Sequence, residues 1–365
     1  MESTSEVKPF FKSMPKVELH AHLNGSISEE TCSKLIRKKW TRDGEQPDVA
    51  ILDKWKKCVK EGVQMHCVPV FGVFHHLVDD AEAVAMITKD IINEFADDGV
   101  RYLELRSTPK DEPRTGMTKR SYIEAVLSAI RQCQDDGVNI IVRFLVSINR
   151  TNSLETAKET VTLAKEYMAS SNGIVLGVDL CGDPEAGDGR QFIPLLKEAR
   201  DAGLKLGIHI AEASPMPQES LPLIEVPADR IGHGIFLNPD RGGSVDMVEA
   251  VSQRQIPLEL CLTSNVITRR VSSYAQHPFK FWYDRGHPVV ICSDDKGVFF
   301  SDLSREYQIA ASTFNLSQEQ IWELSYRSID YIFADDNTKS ELRQLWTAEK
   351  CYTPGFARML FLDQI

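Results

Sequence analysis

The chain has 365 residues, 42% of them apolar and 26% charged, which excludes a disordered segment and describes a chain able to bury one large core or two smaller ones. Its 53 acidic against 42 basic residues leave a net charge of −11, so a broad electrostatic grip on nucleic acid or on an anionic membrane is not expected. The opening MESTSEVKPFFKSMPKVEL has no basic stretch followed by an apolar one, and nowhere do about 18 apolar residues run together, so neither export nor a membrane span is expected. Eight cysteines without a C-x-x-C pair suit buried thiols in a reducing compartment, and the cytosol is the expected location.

Residues 16–23 (KVELHAHL) open a series of short, β-branched apolar runs. It continues at 100–107, 139–148, 173–182, 204–212, 229–234, 256–262 and 287–295, eight predicted strands in all. Amphipathic patterns at 79–98, 119–136, 153–170, 190–202 and 243–254 predict helices between most of them. Strands apolar on both faces and separated by crossover helices imply a parallel sheet. Eight such units predict an α/β fold, a (β/α)8 barrel of the TIM type, with an open doubly wound sheet as the alternative. Helical patterns at 29–39, 51–65 and 79–98 predict an insertion after the first strand that caps one end, over about 29–98. The stretches 301–314 and 317–350 predict extra C-terminal helices. With no linker or low-complexity tract, residues 1–365 read as one domain.

The polar residues that sit oddly on apolar strands fall at the strands' carboxyl ends, where barrel enzymes assemble their sites. Positions i and i+2 of a strand share a face, so H-A-H aims His20 and His22 at a common point. Two core histidines bonded to backbone would give the same pattern. His209, Glu212, His233, Asp294 and Asp295 add further imidazoles and carboxylates at the ends of strands five, six and eight. Burying so many ionisable groups costs several kcal/mol each unless they share a partner, and a divalent metal is the simplest one. Three imidazoles and one carboxylate, His20, His22, His209 and Asp294, make a catalytic set with an open position, and nitrogen ligands favour zinc. Strand four ends VDLCGDP without a lysine to bridge two metals, so one Zn2+ per chain is expected. Gly182 there permits close approach of a flat ligand to backbone N–H groups.

In this order, ELHAHLNGSI, DLCGDP, HIAE, RIGHG, LTSN and SDDKGVF resemble the adenosine deaminase superfamily, over residues from about 10 to 350. LNGSI, LRSTP and SDDKGVF are most similar to its adenosine deaminase-like branch. The resemblance implies zinc-dependent hydrolytic deamination of a 6-aminopurine nucleotide, N6-methyl-AMP to IMP and methylamine. It further implies that Glu212 protonates purine N1, that His233 orients or deprotonates the attacking water, and that Asp295 bonds N7. Asp294 would bind the metal and touch the substrate, as would His22, and Gly182 would offer its N–H to N3.

Adenosine deaminases carry Asp in an H-L-D-G motif where this chain has Asn24. A fixed carboxylate about 4 Å from a 5′-phosphate would repel it by roughly 4 kcal/mol at an effective dielectric near 20, whereas an amide can donate to it. Asn24 therefore favours a nucleoside monophosphate, with adenosine as the alternative substrate and a catalytically inactive purine-binding barrel as the non-enzyme alternative. His75, Ser107, Thr108 and Lys110 are expected to contribute phosphate or ribose contacts. Arg106 reads as a solvated charge, and Lys296 as either a site cation or one half of an outward salt bridge. His66, His277 and His287 match no motif and are expected on the surface or in packing. The partner is then a small purine nucleotide, with neither nucleic acid nor membrane, acting on a monomer.

Overall fold

The computed structural model describes residues 6–44, 48–61, 68–214 and 216–353. Eight strands form one parallel sheet in sequential order: β1 Lys16–His22, β2 Val100–Ser107, β3 Ile141–Asn149, β4 Val175–Cys181, β5 Lys205–Ile210, β6 Arg230–His233, β7 Leu258–Leu260 and β8 Val289–Ile291. The ring closes through a parallel bridge between Ala21 and Asp294, with Asp294 N–H donating to His20 O at 2.9 Å and His22 N–H to Asp294 O at 3.2 Å. This is the closed (β/α)8 barrel, and the open-sheet alternative falls.

The helices start where the sequence provides caps. Asp80 accepts from Ala83 N–H at the start of Ala81–Asp97, Ser153 from Thr156 N–H at the start of Leu154–Ser170, and Thr118 closes a capping box on Lys119–Asp135. Each helix buries an apolar stripe against the outward faces of the strands, as Ile87, Ile91, Ile92 and Phe95 do along Ala81–Asp97. That helix packs beside Lys119–Asp135 in the outer ring. The insertion before it holds helices Glu29–Asp43, Ala50–Glu61 and Val68–Leu77, the last unforeseen from sequence. Part of the 51–65 helical pattern, and His66 with it, lies outside the described residues. Trp55 of the insertion donates its Nε1 proton to Val298 O at 2.8 Å, so the insertion sits over the carboxyl end of β8.

Two departures have local causes. Pro217–Glu225, between β5 and β6, was not anticipated because Pro217 and Pro222 break the helical pattern that its buried Leu223 and Ile224 would otherwise give. The single helical stretch expected at 317–350 is broken into Gln318–Arg327, a 3-10 turn Ser328–Tyr331 and Asp336–Lys350, the last capped by Asp335.

Candidate active site

Buried ion pairs run through the barrel interior. Strand alternation turns Tyr102, Glu104 and Arg106 of β2 inward, together with Asp179 of β4, Arg230 of β6 and Glu259 of β7, and all six side chains are buried. Arg230 lies 2.5 Å from Glu104 and 2.6 Å from Glu259. Arg106 lies 2.8 Å from Glu259 and 3.0 Å from Asp179, and also donates to Leu19 O. The expectation of a solvated Arg106 is thus overturned. A charge near the end of an apolar strand is tolerated because carboxylates from β4 and β7 reach it across the barrel interior.

This layer carries the metal candidates above it. His20 Nδ1 sits 2.6 Å from Glu259 Oε2 and His209 Nδ1 sits 3.1 Å from Asp179 Oδ1, so each ring turns its Nε2 upward. There the groups converge: His22 Nε2 is 3.3 Å from His209 Nε2, and Asp294 Oδ1 is 3.5 Å from both His20 Nε2 and His22 Nε2. His20 Nε2 is buried without a hydrogen-bond partner. An orphaned buried nitrogen, two imidazole nitrogens facing each other and a carboxylate oxygen 3.5 Å from two of the rings make a candidate metal site. Gly232 makes room for this, since a Cβ there would come within 2.8 Å of His20 Cε1.

His233 and Glu212 flank the same space. His233 Nε2 is 3.9 Å from Glu212 Oε1 and 3.9 Å from Asp294 Oδ2. Positive φ angles at Ala211 (52°), His233 (63°) and Asp294 (62°) bend the ends of β5, β6 and β8. Such backbone costs about 1–3 kcal/mol per residue and recurs where side chains are aimed at a ligand. Burial pushes the Glu212 carboxyl up, with the charge of Asp294 adding to it. Burial, then the charges of Asp294 and Glu212, holds the Asp295 carboxyl well above the usual range. Asp295 Oδ1 is buried without a partner, and it stands so close to Gly25 that a Cβ there would overlap it at 1.5 Å.

Of the other sequence candidates, Asn24 is half-buried beside the Tyr122 hydroxyl and leaves Oδ1 unpartnered. Ser107 is buried with its hydroxyl 2.7 Å from that of Tyr122, and Thr108 is half-buried next to it. Lys110 donates to His75 O at 2.6 Å, which ties the loop after β2 to the end of Val68–Leu77, while the side chain of His75 is exposed. Gly182 has a φ of 112° and lies against Asn149, whose Oδ1 accepts from Thr151 at 2.9 Å. Lys296 pairs outward with Glu94 over the Phe95 ring, so it is not a site cation. His287 is packing, bonded to Ile256 O on the Trp282 ring. His277 is buried, with Nε2 3.1 Å from Asn265 Oδ1.

The sequence reading misses Glu259 and Asp179 and misplaces Arg106, because composition smooths over single charges in VRYLELRS, VDLCG and IPLELCL. An acid or arginine at an inward position of a strand was the available signal.

Residues 15–348 match the Adenosine deaminase family model. The human protein named N6-Methyl-AMP deaminase is 52% identical over 343 residues, covering 92% of this chain and 94% of its own length. The Arabidopsis thaliana N6-mAMP deaminase is 36% identical over 92% of this chain and 96% of its own. A crystal structure of the Arabidopsis N6-mAMP deaminase superposes with a TM-score of 0.84 at 34% identity, covering 93% of this chain and all of that one. The Arabidopsis ADAL complex with IMP gives a TM-score of 0.83 at 34% identity, over 93% of this chain and 98% of that one. With fold, site and comparisons in agreement, the chain belongs to the adenosine deaminase family.

Proposed function

We propose that this chain is a hydrolytic deaminase that converts N6-methyl-AMP and water to IMP and methylamine, using one zinc ion held by His20, His22, His209 and Asp294. The observation that carries the reading is the convergence of these four groups beside two carboxyls, Glu212 and Asp295, that burial pushes above the usual carboxylate range. The relatives named for this reaction support the choice of substrate. When bound, zinc supplies the Lewis acidity that lowers a water's pKa from about 16 toward ~7.

The remaining work falls to side chains. A protonated Glu212 donates to N1 and a protonated Asp295 to N7, and both withdraw electrons from C6. Water adds at C6, the C6–N6 bond breaks, and methylamine leaves with a proton while the ring keeps the oxygen. His22, Asp294 and the Gly182 N–H lie along the same purine, and His233 contacts the reacting water. Asn24 takes the phosphate end with Ser107, Thr108, Lys110 and His75, where a neutral amide tolerates an anion better than a carboxylate does. We infer that it acts as a monomer. The chain is one domain, and buried thiols at Cys32, Cys133, Cys181, Cys261 and Cys292 suit a reducing cytoplasm.

The test is metal analysis together with turnover of adenosine, AMP, N6-methyladenosine and N6-methyl-AMP. N6-methyl-AMP should be turned over best, by zinc-loaded protein. Faster deamination of adenosine would overturn the assignment of Asn24, and no release of ammonia or methylamine from any of the four would favour a binding protein.

A further inference from the structure

The hydrogen bonds behind His233 decide which of its nitrogens carries the proton. His233 Nδ1 lies 3.1 Å from Asn265 Nδ2, in the helix Leu262–Ile267 that follows β7. Asn265 Oδ1 lies 3.1 Å from His277 Nε2, and His277 Nδ1 accepts from the Phe279 backbone N–H at 3.0 Å. His233, Asn265 and His277 are all buried, at 1%, 1% and 3% exposure, so bulk solvent does not reach the network.

Directions along this chain are forced from its far end. A backbone N–H only donates, so His277 Nδ1 holds a lone pair and the neutral imidazole carries its proton on Nε2. That proton goes to Asn265 Oδ1. The amide nitrogen of Asn265 is left facing His233 Nδ1 and donates to it, which puts the His233 proton on Nε2, the nitrogen that faces Glu212 and Asp294. Turning the amide over does not rescue the opposite arrangement. His277 would then have to accept at both nitrogens, and a neutral imidazole has only one acceptor.

We propose that His277 and Asn265 are positioning residues that fix His233 as a hydrogen-bond donor in the site, so that its neutral ring presents N–H to the reacting oxygen rather than a lone pair. Of the two roles open to His233, orienting the water or deprotonating it, the relay selects the first. A fixed donor holds the oxygen by its lone pair and stabilises the negative charge that grows on it. The catalytic consequence rests on the proposed deaminase reaction, whereas the tautomer does not.

The test uses full-length, zinc-loaded protein with 15N-labelled histidine and no substrate. Two-bond 1H–15N correlation spectra are assigned for His233 with a His233→Gln variant. The wild-type ring should show a protonated Nε2 and a lone-pair Nδ1. Asn265→Asp presents acceptors to both neighbours and should move the proton to Nδ1, lowering kcat by about 10²-fold with little change in KM. His277→Gln can still donate from its amide to Asn265 Oδ1. It should keep the wild-type His233 pattern and most of the activity that His277→Leu loses. A wild-type spectrum with the proton on Nδ1, or Asn265→Asp turning over substrate like the wild type, would overturn the proposal. The wild-type spectrum decides the question even if a variant fails to fold. Inactivity toward N6-methyl-AMP with the expected spectrum would count only against the substrate.

Discussion

Glu259→Gln tests whether the ionic layer inside the barrel supports the metal site. The Glu259 carboxylate is fully buried and serves three donors: His20 Nδ1 at 2.6 Å, Arg106 Nη2 at 2.8 Å and Arg230 Nε at 2.6 Å. Burial opposes its charge, but Arg106, Arg230 and His20 together outweigh burial and hold the carboxyl well below the usual range. Glutamine keeps the volume and removes the charge, and its amide oxygen can replace only one carboxylate oxygen. Placed toward His20 and Arg106, it leaves the amide N–H against Arg230, donor to donor; reversed, it leaves that N–H against His20. Breaking a buried pair costs about 3–5 kcal/mol. Arg106 keeps Asp179 and Arg230 keeps Glu104, so the expected loss is at the lower end, about 3 kcal/mol. Loss of the group that orients His20 should also weaken zinc binding about 10–100-fold. Urea unfolding of the metal-free protein reads the first effect and chelator competition reads the second. A variant with wild-type stability and wild-type zinc affinity would refute a supporting role for this layer.

Glu212→Gln should lose turnover by about 10²-fold or more while binding zinc normally, measured by methylamine release and metal content. Asn24→Asp should cut kcat/KM for N6-methyl-AMP by up to about 10³-fold, the roughly 4 kcal/mol of repulsion expected at ~4 Å, and spare N6-methyladenosine. An equal loss on both substrates would place the phosphate elsewhere. Glu306 gives a pH test away from the metal. Burial pushes its carboxyl up to about 7 from 4.5 despite hydrogen bonds from Ser301 and Thr263. A folded pKa above the unfolded one favours the protonated form, so its stabilising effect is full below pH 4.5 and fades as pH rises through 7. Relative to Glu306→Gln, the wild type should therefore lose about 3 kcal/mol between pH 4.5 and 8, read by urea midpoints, and a difference that does not change with pH would contradict this.

The strands and most helices were legible because their signals are local. KVELHAHL, NIIVRFLVSI and GIVLGVDLCG are short apolar runs, and acids or serines sit where helices begin. H-A-H, HIAE, RIGHG and SDD could be recognised because strand geometry turns neighbouring positions toward one end of the barrel. Pro217–Glu225 was missed because its prolines hide a helix that tertiary burial of Leu223 and Ile224 sustains.

What sequence determined alone was therefore periodicity and chemical type: eight β/α units, the histidines and carboxylates that gather at the strand ends, and an amide, Asn24, where adenosine deaminases carry a carboxylate. Tertiary structure decided partnership. Arg106 becomes a core residue only because β4 and β7 bring Asp179 and Glu259 to it, and Lys296 leaves the site because Glu94 reaches it from an outer helix. His277, unremarkable in the chain, acquires a role when Asn265 links it to His233 across strand-separated segments. Hydrogen bonds and ion pairs act over a few ångströms, and residues tens or hundreds of positions apart come within that reach only after the barrel has closed.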